Sequence, residues 1–295
     1  MPPNRKKMGV DFYRVSIPHP NGGKLEDFLD RMMGSPPSSR NVQREGNYIR
    51  LQEGSASGDF WSGEIIRIRM EELPVKAALN GTVESLDLKK DEGLGEGVAF
   101  LYHLPSRVLA LQRTRFGISA STFAYYMEQQ HQGLAVDLDI ILEEAAISKL
   151  DRMDTIRDFE IQIAPLDNLS ILRKQKQQSV NSMISISEFH QAPHISVRLK
   201  MGRRRGTLER VTETAKNVLK ITGSDDKVIE KMKITGQHGG DDPAVLDLLE
   251  HRMREHVDLS ANGPRRTISF TERKTALRRA WDKRQREILE MFSDV

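Results

Sequence analysis

Arginine and lysine side chains are the residues in this chain whose spacing suggests chemistry, and they gather in two clusters. The first runs from an expected strand into the glycine-flanked triplet GRRRG and consists of Arg198, Lys200, Arg203, Arg204 and Arg205. An arginine triplet next to a helix N-terminus can bind a phosphate through bidentate guanidinium contacts and backbone amides. This cluster therefore predicts contact with a nucleic-acid backbone.

The second cluster lies near the end of the chain, mostly on one amphipathic helix. Its members are Arg265, Arg266, Arg273, Lys274, Arg278, Arg279, Lys283, Arg284 and Arg286. Cations along a helix can position a protein on phosphates without reading the base sequence. Acidic residues of the same helix, such as Asp282 and Glu290, leave open the alternative that its charge is neutralised internally.

The net charge changes sign along the chain. Residues 1–170 have 20 basic and 25 acidic side chains, a net charge of −5, whereas residues 171–295 have 25 and 17, a net charge of +8. A localised excess of cations is typical of a surface that binds a polyanion, because each neutralised phosphate releases counterions. A solvated surface rich in Lys and Arg is the alternative.

Carboxylates that alternate along expected strands support a second hypothesis, a metal-dependent nuclease. The candidates are Asp137 and Asp139, Asp158 and Glu160, and Glu84 and Asp87 with Lys89. Mg²⁺ needs oxygen ligands, and a cation can orient the attacking water. The same alternation is also typical of the wet face of a sheet. A third hypothesis is a scaffold whose basic surface meets an acidic protein.

Several classes of chemistry are excluded by what the sequence lacks. The chain has no cysteine, which excludes disulfides, thiolate nucleophiles, zinc fingers and iron–sulfur clusters and fits a reducing cytoplasm. The GLGEG stretch at residues 93–97 has no GK[ST] ending and is predicted to be a hairpin turn instead of a phosphate loop. We therefore expect no cofactor and no metal and favour a non-enzymatic protein, with the metal-dependent nuclease kept as the alternative.

The hydrophobic pattern predicts an α+β fold with two domains. Residues 1–170 are expected to form a mixed sheet with hairpins and packed helices, used for assembly or partner contacts, and residues 171–295 a smaller basic α/β-like domain. No apolar run approaches the ~20 residues that cross a bilayer, so a cytoplasmic protein without membrane insertion is expected.

Local patterns predict individual elements of this fold. The runs VAFLYH and VLALQR on either side of LPSR predict a β-hairpin, followed by a helix capped by Ser119 or Ser121. Ser269 with Glu272 predicts a capping box for the last helix, preceded by a short strand RRTISF. Asp242 followed by Pro243 predicts another helix start.

Two segments, VAFLYHLPSRVLALQRTRFGISASTFAYYM and FTERKTALRRAWDKRQREIL, resemble bacterial proteins that travel with phage-defence and mobile-element genes. Among these, the two segments resemble the Kiwa B family of DNA-binding defence proteins. The resemblance implies a DNA-binding, homo-oligomeric component of an antiviral defence or mobile-element system that acts beside a partner protein. The resemblance assigns no known functional role to any residue of this chain.

Overall fold

The structure is a computed structural model that describes residues 7–18, 23–131, 135–163, 182, 185–186, 189–192, 194–222, 229–259 and 267–292. These residues form helices and extensive antiparallel sheet, which confirms the predicted α+β fold. By its internal contacts the chain divides into a first unit (residues 1–11, 15–136 and 255–295) and a second unit (12–14 and 137–254). This division differs from the predicted boundary near residue 170, because the chain returns to the first unit after Arg254.

The elements follow one another in an irregular order of strands and helices. In chain order they are β1 (Lys7–Ser16), α1 (Leu25–Met33), a 3₁₀ helix (Pro37–Arg40), β2 (Val42–Arg44), β3 (Asn47–Ser57), β4 (Phe60–Arg69), β5 (Lys76–Ala77), β6 (Val83–Glu84), β7 (Leu94–His103), β8 (Val108–Arg113), α2 (Ala120–Gln130), β9 (Asp137–Ile140), α3 (Glu144–Arg152), β10 (Thr155–Ile163), β11 (Ile195–Lys200), α4 (Val211–Thr222), β12 (Ile229–Gln237), β13 (Ala244–Asp247), β14 (Arg254–Asp258) and α5 (Phe270–Phe292).

The first unit is built on a sheet with the strand order β14-β1-β8-β7-β4-β3-β2. The predicted hairpin is confirmed: β7 and β8 pair antiparallel, with His103 opposite Val108. The helix after it is also confirmed, since the Ser119 hydroxyl accepts a hydrogen bond from the backbone N–H of Thr122 at the start of α2. Such a cap satisfies one of the free N–H groups of the first turn.

Aromatic side chains fill the core of the first unit. The rings of Trp61 and Phe100 stack with their centroids 5.5 Å apart. Gly54 and Gly63 lie opposite each other on β3 and β4, and a Cβ atom on either would overlap the Trp61 ring. The two glycines are therefore required by the close approach of the indole. Helix α5 packs on the same sheet through apolar side chains that are fully buried, namely Leu277, Ala280, Trp281 and Ile288.

The predicted hairpin turn at GLGEG is wrong, because residues 94–97 belong to strand β7. Gly95 pairs with Ile68 and Gly97 with Ile66. A side chain at Gly95 would meet Ile66, and one at Gly97 would meet the Glu64 carboxylate. These glycines serve close packing of neighbouring side chains, which a local sequence pattern does not reveal.

The second unit contains a four-stranded antiparallel sheet with the order β11-β10-β12-β13. Its core joins one face of this sheet to α3 and α4, with Phe159, Ile161, Met232 and Ile234 almost fully buried. Helix α4 contributes Val211, Ala215, Val218 and Leu219 to this core.

Two predicted elements near the end of the chain are wrong. Asp242 and Pro243 start no helix, because the next residues form strand β13, whose Leu246 lies opposite Ile234 and is fully buried. A strand at RRTISF is absent from its described part, residues 267–270, which lead directly into α5. No helix among the described residues is long and apolar enough to cross a membrane.

Candidate nucleic-acid interface

The outer face of the second sheet is a network of ion pairs. Arg198 lies opposite Glu160 in the strand register, yet its guanidinium donates to both oxygens of Asp158, with Nη2 2.6 Å and Nε 2.9 Å from the nearer oxygens. The Lys200 ammonium lies 3.6 Å from the same carboxylate. Lys231 donates to Glu160 over 2.7 Å. The two cations predicted on β11 are therefore compensated on the sheet.

The carboxylates of this face are correspondingly engaged. The hydrogen bond from Arg198 lowers the pKa of Asp158, and that from Lys231 lowers the pKa of Glu160. Within the described residues, no three His, Asp or Glu side chains come together in a way that could hold a metal ion. The geometry thus lends no support to the nuclease hypothesis at these two residues.

The arginine triplet lies in a loop at the end of this sheet, residues 202–207, which we call the arginine loop. Strand β10 holds both ends of the loop. The N–H of Met201 donates to the carbonyl of Arg157 at 3.0 Å, and the N–H of Leu208 donates to the carbonyl of Ile156 at 2.8 Å. In addition, the Thr207 hydroxyl accepts from the N–H of Ile156 at 2.8 Å. The loop therefore begins and ends beside two adjacent residues of β10, Arg157 and Ile156.

The Arg157 side chain also holds the arginine loop, through two hydrogen bonds to its backbone. Its guanidinium donates to the carbonyl of Gly202 at 2.8 Å and to that of Gly206 at 3.3 Å. Both glycines have positive φ, +57° and +117°, a conformation that L side chains rarely adopt. A cation on the sheet and two glycines thus fix the shape of the loop.

The three arginines of the triplet are exposed and unpaired. Arg203, Arg204 and Arg205 form no side-chain hydrogen bond or ion pair with the part of the chain that the structure describes. Arg210, just before α4, is exposed in the same way, and Glu209 is the one acidic residue within residues 202–210. This loop therefore presents several guanidinium groups whose donors are available to a ligand.

One largely buried cation of the second predicted cluster has a structural position. Arg273 of α5 donates to the Glu64 carboxylate on β4 and, over 2.7 Å, to the carbonyl of Gly97 on β7. Its side chain is only 12% exposed. Burial raises the pKa of Glu64, and the Arg273 guanidinium beside it offsets part of that rise. This pair attaches the terminal helix to the sheet.

The other cations of α5 are mostly occupied. Their contacts are Arg278 with Asp282 at 3.1 Å and over the Phe60 ring at 4.1 Å, Arg279 with the Asp258 carbonyl at 2.7 Å, Lys283 with Glu255 at 3.3 Å, Arg284 with Glu255 and Glu287 at 2.8 and 2.9 Å, and Arg286 with Glu290 at 2.8 Å. Lys274 is half-buried and forms no such contact with described residues. Arg265 and Arg266 lie outside the described residues. The internal neutralisation that the sequence left open is thus what the geometry shows for most of this helix.

A family model matches residues 4–287, nearly the whole chain, and its description is a family of unknown function, DUF6731. The chain belongs to the DUF6731 family. No match is found among curated proteins. The description of the DUF6731 family names no activity.

Sequence reasoning missed Arg157 and Glu64. No sequence pattern distinguishes Arg157 from the other charged residues of its strand, although its side chain holds the arginine loop in this DUF6731 chain. Glu64 lies in the apolar run WSGEII, and a carboxylate in such a run is a pattern that could have indicated a buried ion pair. Its partner Arg273 is 209 residues away and could not be identified from spacing.

Proposed function

We propose that this chain is a non-enzymatic nucleic-acid-binding protein that contacts DNA through the arginine loop. The observation that supports this is the combination of three exposed, unpaired arginines on a loop fastened at both ends and bridged by Arg157. Guanidinium groups match phosphate oxygens with bidentate geometry. The ligand group is therefore a backbone phosphate.

The shape of the loop favours binding energetically. A ligand that meets an ordered loop does not have to supply the free energy that would otherwise be lost in ordering it. Phosphate contacts position a protein on the duplex but do not distinguish bases. The binding should accordingly be independent of sequence and strongly dependent on salt.

We also propose the setting in which this binding operates. The resemblance of residues 98–127 and 270–289 to bacterial phage-defence and mobile-element proteins supports a DNA-binding component of such a system. The cysteine-free composition supports the cytoplasm as its location. In this setting the protein acts as a homo-oligomer next to a partner protein.

A salt-resolved binding titration tests the proposal. Fluorescence anisotropy with labelled double-stranded DNA, single-stranded DNA and RNA would be measured over a series of NaCl concentrations, with and without Mg²⁺. Changing Arg203, Arg204 and Arg205 together to Ala should weaken DNA binding by roughly tenfold or more and reduce the slope of log K against log [NaCl] by about one unit per lost phosphate contact.

A matched control is the triple variant Arg278→Ala, Lys283→Ala and Arg286→Ala, which removes the same charge from exposed positions of α5 whose cations are already paired. Its affinity should stay close to that of the unchanged chain. Equal losses in both variants would mean that overall charge, and not the arginine loop, governs binding. DNA binding that survives loss of the triplet, or cleavage of DNA in Mg²⁺, would overturn the proposal.

A further inference from the structure

The connection between β4 and β7 forms an extension of the first unit, residues 70–93, which we call the arm. The strands on either side pair up to Arg69 and Leu94, so the arm begins where the sheet ends. None of its 24 residues is buried, although eight of them are apolar aliphatic residues. Three of the most exposed large apolar side chains among the described residues, Val75, Leu79 and Val83, lie in it.

The arm contains a regular hairpin. Strands β5 and β6 pair with Lys76 opposite Glu84 and Ala77 opposite Val83. The turn is closed by a hydrogen bond from the N–H of Ala78 to the carbonyl of Thr82 at 2.8 Å. Gly81 in this turn has a φ of +91°, the conformation that a hairpin loop with a bulge requires.

The two faces of this hairpin differ in polarity. One face has the ion pair of Lys76 and Glu84, with Nζ and Oε2 3.2 Å apart. Because residues i and i+2 of a strand share a face, Val75 lies on the other side with Ala77 and Val83. Val75 and Val83 are 57% and 62% exposed. An isolated two-stranded hairpin is at best marginally stable in water, so covering this apolar face would stabilise it.

The charge of the arm indicates what covers that face. The arm has three basic and six acidic residues, a net charge of −3, and the whole chain has a net charge of +3. The other 271 residues therefore have a net charge of +6. Two arms with the same negative charge would repel each other, whereas an arm and the rest of another copy would attract.

We propose that the arm docks on the body of a second copy of this chain. Reciprocal docking of two arms closes a two-fold symmetric dimer, the commonest form of homo-oligomer. A stable interface buries about 800 Å² per partner, which a few valine side chains do not provide, so the proposed interface includes the whole extended arm. This inference is independent of the proposed binding of DNA.

Sedimentation equilibrium of the full chain tests the inference. The unchanged chain should dimerise, and the double variant Val75→Asp and Val83→Asp should raise the dimer dissociation constant by roughly tenfold or more, because it places charge on the docking face. Raising the salt concentration should also weaken the dimer, since part of the attraction is electrostatic.

The control is Val245→Asp, which repeats one of these Val→Asp changes at a valine of strand β13 that is also 57% exposed. This variant should dimerise like the unchanged chain. Thermal unfolding of all three proteins checks that the fold is kept, which is expected because the substituted side chains are exposed. A monomeric unchanged chain at about 50 μM, or a dissociation constant that the arm variant does not change, would overturn the inference.

Discussion

The arginine loop of the second unit and the terminal helix of the first unit are the two cationic regions of the chain, and they use their charge differently. In the loop, Arg203, Arg204 and Arg205 are exposed and have no side-chain partner among the described residues. In α5, Arg273 is buried against Glu64, and most of the other cations pair with carboxylates or carbonyls. A basic run in a sequence therefore indicates a binding surface only where the fold brings no acids to it.

The net charges of the two compact units differ little from each other. The first unit has 25 basic and 23 acidic residues, a net charge of +2, and the second has 20 and 19, a net charge of +1. The contrast of −5 and +8 between the two parts of the linear chain thus disappears. What remains is the local distinction between paired and unpaired cations.

The largest expected effect concerns Arg273. Arg273→Ala leaves the buried Glu64 carboxylate without its partner, and we expect the free energy of unfolding to fall by about 3 kcal/mol at neutral pH. Urea denaturation followed by circular dichroism measures this loss. A change below about 0.5 kcal/mol would show that this pair does not hold the helix to the sheet.

The pH dependence of this variant follows from the pKa of Glu64. Burial raises that pKa above its unfolded value, so the folded state binds the proton more readily and stability falls as pH rises through this range. Without Arg273 the pKa rises further. The deficit of Arg273→Ala should therefore be largest at alkaline pH and should shrink on acidification, as Glu64 becomes protonated. A deficit that grows on acidification would contradict this account.

The next effect concerns the fastening of the arginine loop. Arg157→Ala keeps the exposed triplet but removes the two hydrogen bonds to Gly202 and Gly206. We expect DNA affinity to fall by about tenfold because the loop then has to be ordered on binding. Arg157→Lys retains the charge without the paired donors and serves as the control. If Arg157→Lys binds like the unchanged chain, the role of Arg157 is its charge and not its geometry.

A smaller effect is expected at the start of the terminal helix. The Ser269 hydroxyl accepts from the N–H of Glu272 at 3.3 Å, and the Glu272 carboxylate accepts from the N–H of Ser269 at 3.0 Å. Ser269→Ala should lower the free energy of unfolding by about 1 kcal/mol. The double variant with Glu272→Ala should cost less than the sum of the single losses, because both residues belong to one motif.

The smallest effect is expected for Arg286, whose side chain is 91% exposed and pairs with Glu290 four residues later. Arg286→Ala should change the free energy of unfolding by less than about 0.5 kcal/mol, as for other exposed helical pairs. In the binding titration it should change DNA affinity by less than twofold, since its charge is compensated. A loss as large as that of an arginine-loop variant would remove the contrast between the two regions.

Elements with a strong local pattern were predictable from the sequence. The hairpin of β7 and β8, the cap at Ser119 and the capping box of Ser269 with Glu272 are all confirmed. Their determinants lie within a few residues of each other, where alternation, turn residues and side-chain acceptors act directly on the backbone.

The elements that were wrongly predicted depend on contacts between paired strands. Asp242 and Pro243 have the local features of a helix start. Burial of Leu246 opposite Ile234 in the sheet stabilises a strand there instead. Gly95 and Gly97 resemble a turn, but they make room for side chains of β4. In both cases packing against the paired strand outweighs local preference.

The sequence by itself determined the α+β class, the absence of thiol chemistry and the positions of the two cationic runs. Only the tertiary structure decided which of these cations are paired. Glu64, the partner of Arg273, is remote in the sequence, and Glu255, the partner of Arg284, belongs to another element. It also decided that Arg157 fastens the arginine loop, since this contact spans 45 residues. Charge is a property of the chain, whereas its availability to a ligand depends on which groups the fold brings within hydrogen-bonding distance.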